Sequence, residues 1–239
     1  CFHHSAIMAN SLEIPAVVGC GEEILNAAAQ GDLMILDAVD GNVIINPDEA
    51  AVKEYEAKAE AFKAEKEALK VLVDAKTITT DGHQVELAGN IGGIKDVEGV
   101  LKNGGEGVGL FRTEFLYMDS DHFPTEEEQF EAYKAVLEGM GGKKVVVRTL
   151  DIGGDKKLKY FTFPEEMNPF LGYRAIRICL DREDVFKTQL RALLRASAYG
   201  NIRIMYPMII SLEELDRANE LLETCKSELR AEGKAFNED

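Results

Sequence analysis

The sequence predicts a mixed α/β protein in three parts: a small segment of helix and strands, a long polar helix, and four strand–helix units equal to half of a (β/α)8 barrel. Three observations support this prediction. From Thr77 onward, short apolar runs alternate with helix-like stretches, which is typical of a parallel sheet with right-handed crossovers. Before residue 47 the sequence contains a hairpin signal, and between these parts lies a stretch rich in Ala, Glu and Lys.

Composition narrows the possible functions. The chain has 239 residues, 46% hydrophobic and 29% charged, and it lacks an apolar run long enough to span a membrane. Its formal net charge of −16 argues against nucleic acid or an anionic membrane as a partner. An anionic ligand would therefore need local cations. The four cysteines show no CxxC spacing, which predicts neither a zinc site nor a disulfide framework and favours a cytoplasmic location.

Residues 1–46 are predicted to contain a short helix at 6–12, a strand at 14–19, and a hairpin with arms 32–37 and 42–46. His3 and His4 directly precede the short helix. A histidine at a helix N-terminus would be kept neutral and nucleophilic by the helix dipole, and a phosphate attached there would meet free N–H groups. The alternative is a pair of surface histidines without a function.

Pro47 opens the long helix, which is predicted to run to about Val73. Its apolar positions are few and form one narrow stripe on a mostly solvated rod. This pattern favours a connector between two domains. A peripheral helix of a single domain is the alternative.

The predicted strand–helix units then follow in order. Strands are expected at 85–92, 107–111, 145–147 and 202–209. Helices are expected at 94–103, 125–138 and 175–198, with a fourth that begins at Ser211.

Two of these strands end in an arginine. Arg112 follows the run at 107–111, and Arg148 follows three valines and precedes the Gly153-Gly154 pair. In parallel strands of one barrel the two guanidinium groups would converge at the catalytic face, where they suit a small anionic, phosphorylated substrate. Glycines there would let backbone N–H groups approach a ligand. The alternative is that each arginine pairs with a nearby carboxylate, Glu114 or Asp151.

Four stretches together are more specific than any single motif. They run from Arg112 to Asp119, from Phe123 to Gln129, from Arg148 to Lys156 and from Asn168 to Arg177. They closely resemble Enzyme I of the bacterial phosphoenolpyruvate:sugar phosphotransferase system. This resemblance implies that 1–46 is the C-terminal part of a swivelling phosphohistidine domain, 47–76 a helical linker, and 77–239 the N-terminal half of a TIM-type barrel that binds phosphoenolpyruvate (PEP).

The resemblance also assigns residues. His4 in His4-Ser5-Ala6 matches the phosphorylated histidine, although His3 stands where the family has serine, Phe2 where it has threonine, and Asn10 where it usually has arginine. In the barrel, three arginines match as PEP-binding residues: Arg112, Arg148 and Arg174. For Arg174 the alternative is a structural ion pair with Glu165 or Glu166.

The implied activity is phosphoryl transfer from PEP to His4 and on to a histidine-containing phosphocarrier protein, the first step of sugar uptake by that system. Mg²⁺ is implied as the cofactor, with its ligands and the proton donor expected beyond Asp239. The chain is expected to be a piece of a longer cytoplasmic protein, inactive alone and homodimeric through the barrel when intact. Alternatives are an enzyme of the pyruvate phosphate dikinase or PEP synthase type, or a non-catalytic interaction module.

Overall fold

The computed structural model describes residue 9, residues 14–156 and residues 158–238. The chain divides into two compact units, Cys1–Val71 and Leu72–Asp239. The predicted mixed α/β class is confirmed, since helices accompany a parallel sheet of four strands in the second unit. Within the described residues, no helix is both long enough and apolar enough to cross a bilayer.

The first unit contains the predicted hairpin. Helix α1 (Glu23–Ala27) precedes strands β1 (Met34–Asp37) and β2 (Asn42–Ile45), which pair antiparallel. The Asp37 carboxylate accepts two backbone N–H groups of the turn at 3.0 Å each, and Gly41 has a φ of 74°. The hairpin prediction is therefore confirmed, with a turn that needs glycine at one position.

The strand predicted at 14–19 is wrong, because this segment has no regular structure. Pro15 lacks the N–H group that a ladder needs, and the side chains of Ile14 and Val18 are each 56% exposed. His3 and His4 lie outside the described residues, as does the predicted helix at 6–12 apart from Ala9.

The long helix is confirmed as α2 (Glu49–Leu69), which leads into a 3₁₀ turn at Lys70–Leu72. Its N-cap is Asp48, whose carboxylate accepts the Ala51 N–H at 2.7 Å. Pro47 thus precedes the cap instead of standing in the first turn. All of residues 49–69 are described and none of them is buried, as expected of a solvated rod.

The second unit is built on a parallel sheet. Its strands are adjacent in chain order: β3 (Ala88–Ile91), β4 (Gly107–Arg112), β5 (Lys144–Arg148) and β6 (Ile202–Met205). β3 and β6 are shorter than predicted. After β6 the chain cannot continue the ladder, because Pro207 has no N–H group and Met208 adopts a φ of 63°.

Six helices of this unit are described: α3 (Val97–Lys102), α4 (Glu114–Met118), α5 (Glu126–Gly139), α6 (Ile176–Asp181), α7 (Glu183–Ser197) and α8 (Leu212–Ala231). α3 is preceded by a 3₁₀ turn at Ile94–Asp96. Two differences from the prediction stand out. α4 was not expected, and the single helix expected at 175–198 is broken at Arg182, whose φ of −112° and ψ of 66° leave the helical region.

Two helix starts that the sequence predicts are confirmed. Thr125 accepts the Glu128 N–H at 3.3 Å while the Glu128 carboxylate accepts the Thr125 N–H at 2.7 Å, which completes a capping box for α5. Ser211 likewise accepts the Glu214 N–H at 3.3 Å. The Glu214 carboxylate, however, accepts the N–H of Ile210, one residue before the cap.

The core lies on one face of the sheet. Val108, Phe111, Val145 and Val147 are buried there against apolar side chains of α5 and α7. A second core cluster joins Leu150 and Ile152, which follow β5, to α6, α7 and α8. The helices therefore cover one face of the sheet and support the segments that leave its carboxyl edge.

Candidate functional site

The two strand-end arginines lie side by side. β4 and β5 are parallel, and their register pairs Phe111 with Val147 and Arg112 with Arg148. The first pair is buried beneath the helices, so the arginines, one residue further on, project from the opposite face. Paired residues on neighbouring strands are about 4.8 Å apart. The folded chain thus places the two arginines next to each other at the end of the sheet.

Arg112 has no carboxylate partner among the described residues. Its side chain is exposed, and its guanidinium lies over the Phe115 ring at 5.3 Å from the centroid. Stacking of this kind orients the guanidinium plane but leaves its N–H groups unpaired. Arg112 can therefore offer its planar donor fork to an anion.

Arg148 pairs with nearby carboxylates, which is the alternative that the sequence left open. Its Nε and one terminal nitrogen donate to Glu114 Oε1 at 3.0 and 2.6 Å, and its other terminal nitrogen lies 3.2 Å from Asp151 Oδ2. The Glu114 side chain is only 3% exposed. Because these contacts fix the guanidinium group, Arg148 is held in one orientation at the edge of the site.

Arg174 lies near Arg148, because both arginines contact Asp151. Its Nε and one terminal nitrogen donate to Asp151 Oδ1 at 3.2 and 2.9 Å, and its other terminal nitrogen donates to Asp155 at 2.9 Å. The alternative that the sequence left open, an ion pair with Glu165 or Glu166, is wrong in its partners. The Glu166 carboxylate accepts the backbone N–H of Tyr173 instead. Asp151 thus bridges Arg148 and Arg174.

Gly153 has a packing role that the sequence did not reveal. A Cβ at this position would come within 2.7 Å of the Arg174 Cβ, closer than such atoms can lie. The neighbouring Ala175 has a φ of 53°, which is strained for a residue with a side chain. The buried Arg174 therefore fits because Gly153 has no side chain and because Ala175 adopts an unusual backbone conformation.

The formal charges of the three arginines and of the carboxylates beside them cancel. Three arginines face three carboxylates, those of Glu114, Asp151 and Asp155. Of these three arginines, only Arg112 lacks an acidic partner among the described residues, so it supplies the positive charge that a phosphate would meet first. The cluster suits an anion that Arg112 binds directly and that the already oriented Arg148 then binds from the neighbouring strand.

A cavity of about 590 Å³ lies next to this edge of the sheet. Its lining combines Phe115, His122 and Lys159 with the carboxylates of Asp119, Asp121 and Glu128. The three acidic groups outnumber Lys159 and His122, which gives the wrong sign for a phosphorylated ligand. The arginine cluster is therefore the better anion site of the two.

Two family models match this chain. One, described as "PEP-utilising enzyme, PEP-binding domain", matches residues 66–239. The chain belongs to the PEP-utilising enzymes. The other, described as "PEP-utilising enzyme, mobile domain", matches residues 2–41. Arg112, Arg148 and Arg174 all lie within the stretch of this family's PEP-binding domain, and His4 lies within that of its mobile domain.

Similar proteins carry one name, phosphoenolpyruvate-protein phosphotransferase. That of Listeria monocytogenes serovar 1/2a is 58% identical over 230 residues, which are 96% of this chain. Those of Bacillus subtilis and Staphylococcus aureus are 58% and 56% identical over 236 residues, or 99% of this chain. The chain spans only about 40% of the length of these relatives.

No group of three or more His, Cys, Asp or Glu side chains in the described ranges is arranged to hold a metal ion. The three carboxylates nearest the arginines are each engaged by a guanidinium group. Mg²⁺ prefers several free carboxylate or water oxygens in octahedral geometry, so this set does not fit it.

Sequence reasoning missed Gln189. This side chain is fully buried and hydrogen-bonds to the backbone of Leu150 and to the hydroxyl of Thr113. A signal was present: Gln189 interrupts the apolar stripe of α7 between Phe186 and Leu190. A polar residue at a core position of an amphipathic helix indicates a buried hydrogen-bonded group.

Proposed function

We propose that the intact protein transfers a phosphoryl group from PEP to His4 and then to a histidine-containing phosphocarrier protein, as the first step of sugar uptake by a phosphotransferase system. The observation that most supports this proposal is the in-register pair of Arg112 and Arg148, the first of which lacks a carboxylate partner among the described residues. The names of the relatives agree with this substrate and this type of reaction.

The three arginines take different parts. Arg112 binds the phosphate of PEP through its free donor fork. Arg148, already oriented by Glu114, adds donors from the neighbouring strand at little further cost in side-chain entropy. Arg174 is buried and holds Asp151, so its main part is to keep Arg148 and the loop after β5 in place. It also adds positive charge to the site.

The chemical step needs a neutral histidine. A lone pair on the His4 ring forms the P–N bond, the bond between phosphorus and the enol oxygen breaks, and its electron pair leaves with the enolate of pyruvate, which then takes up a proton. The arginines neutralise the charge of the transferring group. His4 lies outside the described residues, so its part rests on the resemblance and on the match to the mobile-domain model.

The proposal includes an architecture. Residues 1–46 belong to a swivelling phosphohistidine domain, 47–76 form the linker that carries it, and the four-stranded sheet is the first half of a TIM-type barrel that forms a homodimer in a cytoplasmic protein. The unbroken parallel order of β3, β4, β5 and β6, with helices on one face, supports the barrel. Mg²⁺ is the proposed cofactor, held by residues outside the described part of the chain.

The test uses the intact protein, incubated with PEP and Mg²⁺ and analysed for phosphohistidine by mass spectrometry under non-acidic conditions. We expect phosphate on His4, its loss in His4→Ala, and its retention in His3→Ala. Phosphate on His3 would show that His3, and not His4, is the carrier. Phosphorylation only when ATP is present would favour a dikinase, and bound PEP without any phosphohistidine would favour a non-catalytic module.

A further inference from the structure

We propose that Gln189 is a positioning residue that sets the geometry of both strand-end arginines from beneath the sheet edge. This inference rests on the proposed function, because it names what keeps Arg112 and Arg148 in register for the phosphate. Gln189 lies on α7, is fully buried, and its side-chain hydrogen bonds go to Leu150, Thr113 and Tyr133 and to neither arginine. It acts through the backbone.

The Gln189 amide joins the ends of two strands. Its Oε1 accepts the N–H of Leu150, two residues after Arg148, at 2.9 Å. Its Nε2 donates to Thr113 Oγ1, one residue after Arg112, at 3.2 Å. Thr113 in turn donates its hydroxyl to the carbonyl of Arg148 at 2.9 Å. One side chain therefore binds the segment that follows each arginine, and the two segments are also bound to each other.

These contacts matter because the sheet ladder ends beside them, with a last bond from the Thr149 N–H to the Met205 carbonyl at 2.9 Å. β4 and β5 end at Arg112 and Arg148, so the N–H of Leu150 has no strand partner in the ladder. A buried N–H without an acceptor is destabilising, because it has lost its hydrogen bond to water and gained none in return. Gln189 supplies that acceptor, and the position of its amide therefore determines where the chain turns after the arginine.

The orientation of the amide is itself fixed. Besides Thr113, Nε2 donates to the hydroxyl of Tyr133 at 3.1 Å, and that hydroxyl donates onward to Gln129 Oε1 at 2.9 Å. Tyr117 also donates to Gln129 Oε1, at 3.2 Å. Burial raises the pKa of Tyr133, which keeps the hydroxyl proton in place. An amide turned by 180° would set Nε2 against the Leu150 N–H, donor against donor, so the network admits one arrangement.

α7 does not depend on Gln189 for its position. Arg191 donates to Glu126 at 2.6 Å and to Glu232 at 2.8 Å, which ties α7 to α5 and to the end of α8. Arg195 adds a contact to Glu126 at 2.8 Å. Loss of the Gln189 amide should therefore disturb the strand ends more than the helix, and this difference separates a positioning role from a merely structural one.

The experiment measures the dissociation constant for PEP and the melting temperature of the intact protein in matched variants. Gln189→Leu keeps the volume but removes all three hydrogen bonds. Leu193→Ala, one turn further along α7 and equally buried, is the control for general destabilisation. At a temperature where both are folded, we expect the dissociation constant to rise on the order of tenfold or more in Gln189→Leu. In Leu193→Ala it should stay within about twofold of wild type.

Should Gln189→Leu fail to fold, Thr113 provides the test. Thr113→Val removes the hydroxyl that links Gln189 to the Arg148 carbonyl and should weaken PEP binding, whereas Thr113→Ser restores the hydroxyl and should recover most of the affinity. Equal losses in Gln189→Leu and Leu193→Ala, or equal affinities in Thr113→Val and Thr113→Ser, would overturn the positioning role while leaving the proposed function intact. Wild type that binds no PEP would overturn the proposed function and this inference with it.

Discussion

Arg112 and Arg148 occupy equivalent positions on neighbouring strands, yet their replacement by methionine should cost very different amounts of stability. Arg112 is exposed and loses only its contact with the Phe115 ring, which is worth about 0.5–1 kcal/mol. Arg148→Met leaves the Glu114 carboxylate, 3% exposed, without its guanidinium partner. Removing one member of a buried pair costs about 3–5 kcal/mol. The free energy of unfolding of a domain is only about 5–15 kcal/mol, so this loss is large.

Unlike stability, the affinity for PEP should fall strongly when Arg112 is replaced. Each charge-assisted hydrogen bond from Arg112 to a phosphate is worth about 1.5–3 kcal/mol, so Arg112→Met should raise the dissociation constant for PEP by about tenfold to hundredfold. Thermal unfolding followed by circular dichroism gives the stability of each variant, and calorimetric titration of the folded protein gives the affinity. Lys102→Met is the control, since it removes the same charge from an exposed helix away from the site.

The reasoning would be refuted if Arg112→Met destabilised the protein as much as Arg148→Met. It would also be refuted if Arg112→Met bound PEP with the affinity of the Lys102→Met control. Either result would mean that Arg112 belongs to the fold and that the anion is held elsewhere.

Three further predictions concern stability. The pKa of His122 is raised, above all by its hydrogen bond to Asp121, so the stabilisation from its charge is complete below its usual pKa of 6.5 and is lost as pH rises through the higher folded value. His122→Asn should therefore lower the melting temperature at about pH 5.5 and leave it unchanged at about pH 9. Gly153→Ala should destabilise the protein by about 1–3 kcal/mol, because the new Cβ would meet Arg174 at 2.7 Å. Gly99→Ala, in an open helical position, should instead stabilise it by about 0.5–1 kcal/mol.

The parts of the site that could be predicted from sequence depend on local patterns. An arginine directly after an apolar run marks a strand end, and successive parallel strands place such residues at one edge. The sequence alone therefore predicts that Arg112 and Arg148 are neighbours, as the register confirms. The helix caps at Thr125 and Ser211 were also readable, because a capping residue and its partner lie three positions apart.

The remaining contacts depend on distances along the chain that no local pattern encodes. Arg174 reaches Asp151 across 23 residues, whereas Glu165 and Glu166, the alternative partners considered from the sequence, are nearer to it in the chain. Gln189 reaches Thr113 across 76 residues, so only its polar character on an apolar helix stripe could be noticed beforehand. The break at Arg182 was missed because the apolar pattern continues through it into the second core cluster.

The most direct test of the central claim is a crystal structure of the intact protein with PEP bound. We predict that phosphate oxygens lie within hydrogen-bonding distance of both Arg112 and Arg148, with the contact between Arg148 and Glu114 preserved. A PEP phosphate bound elsewhere, with Arg112 still stacked on Phe115 and free of the ligand, would contradict the account.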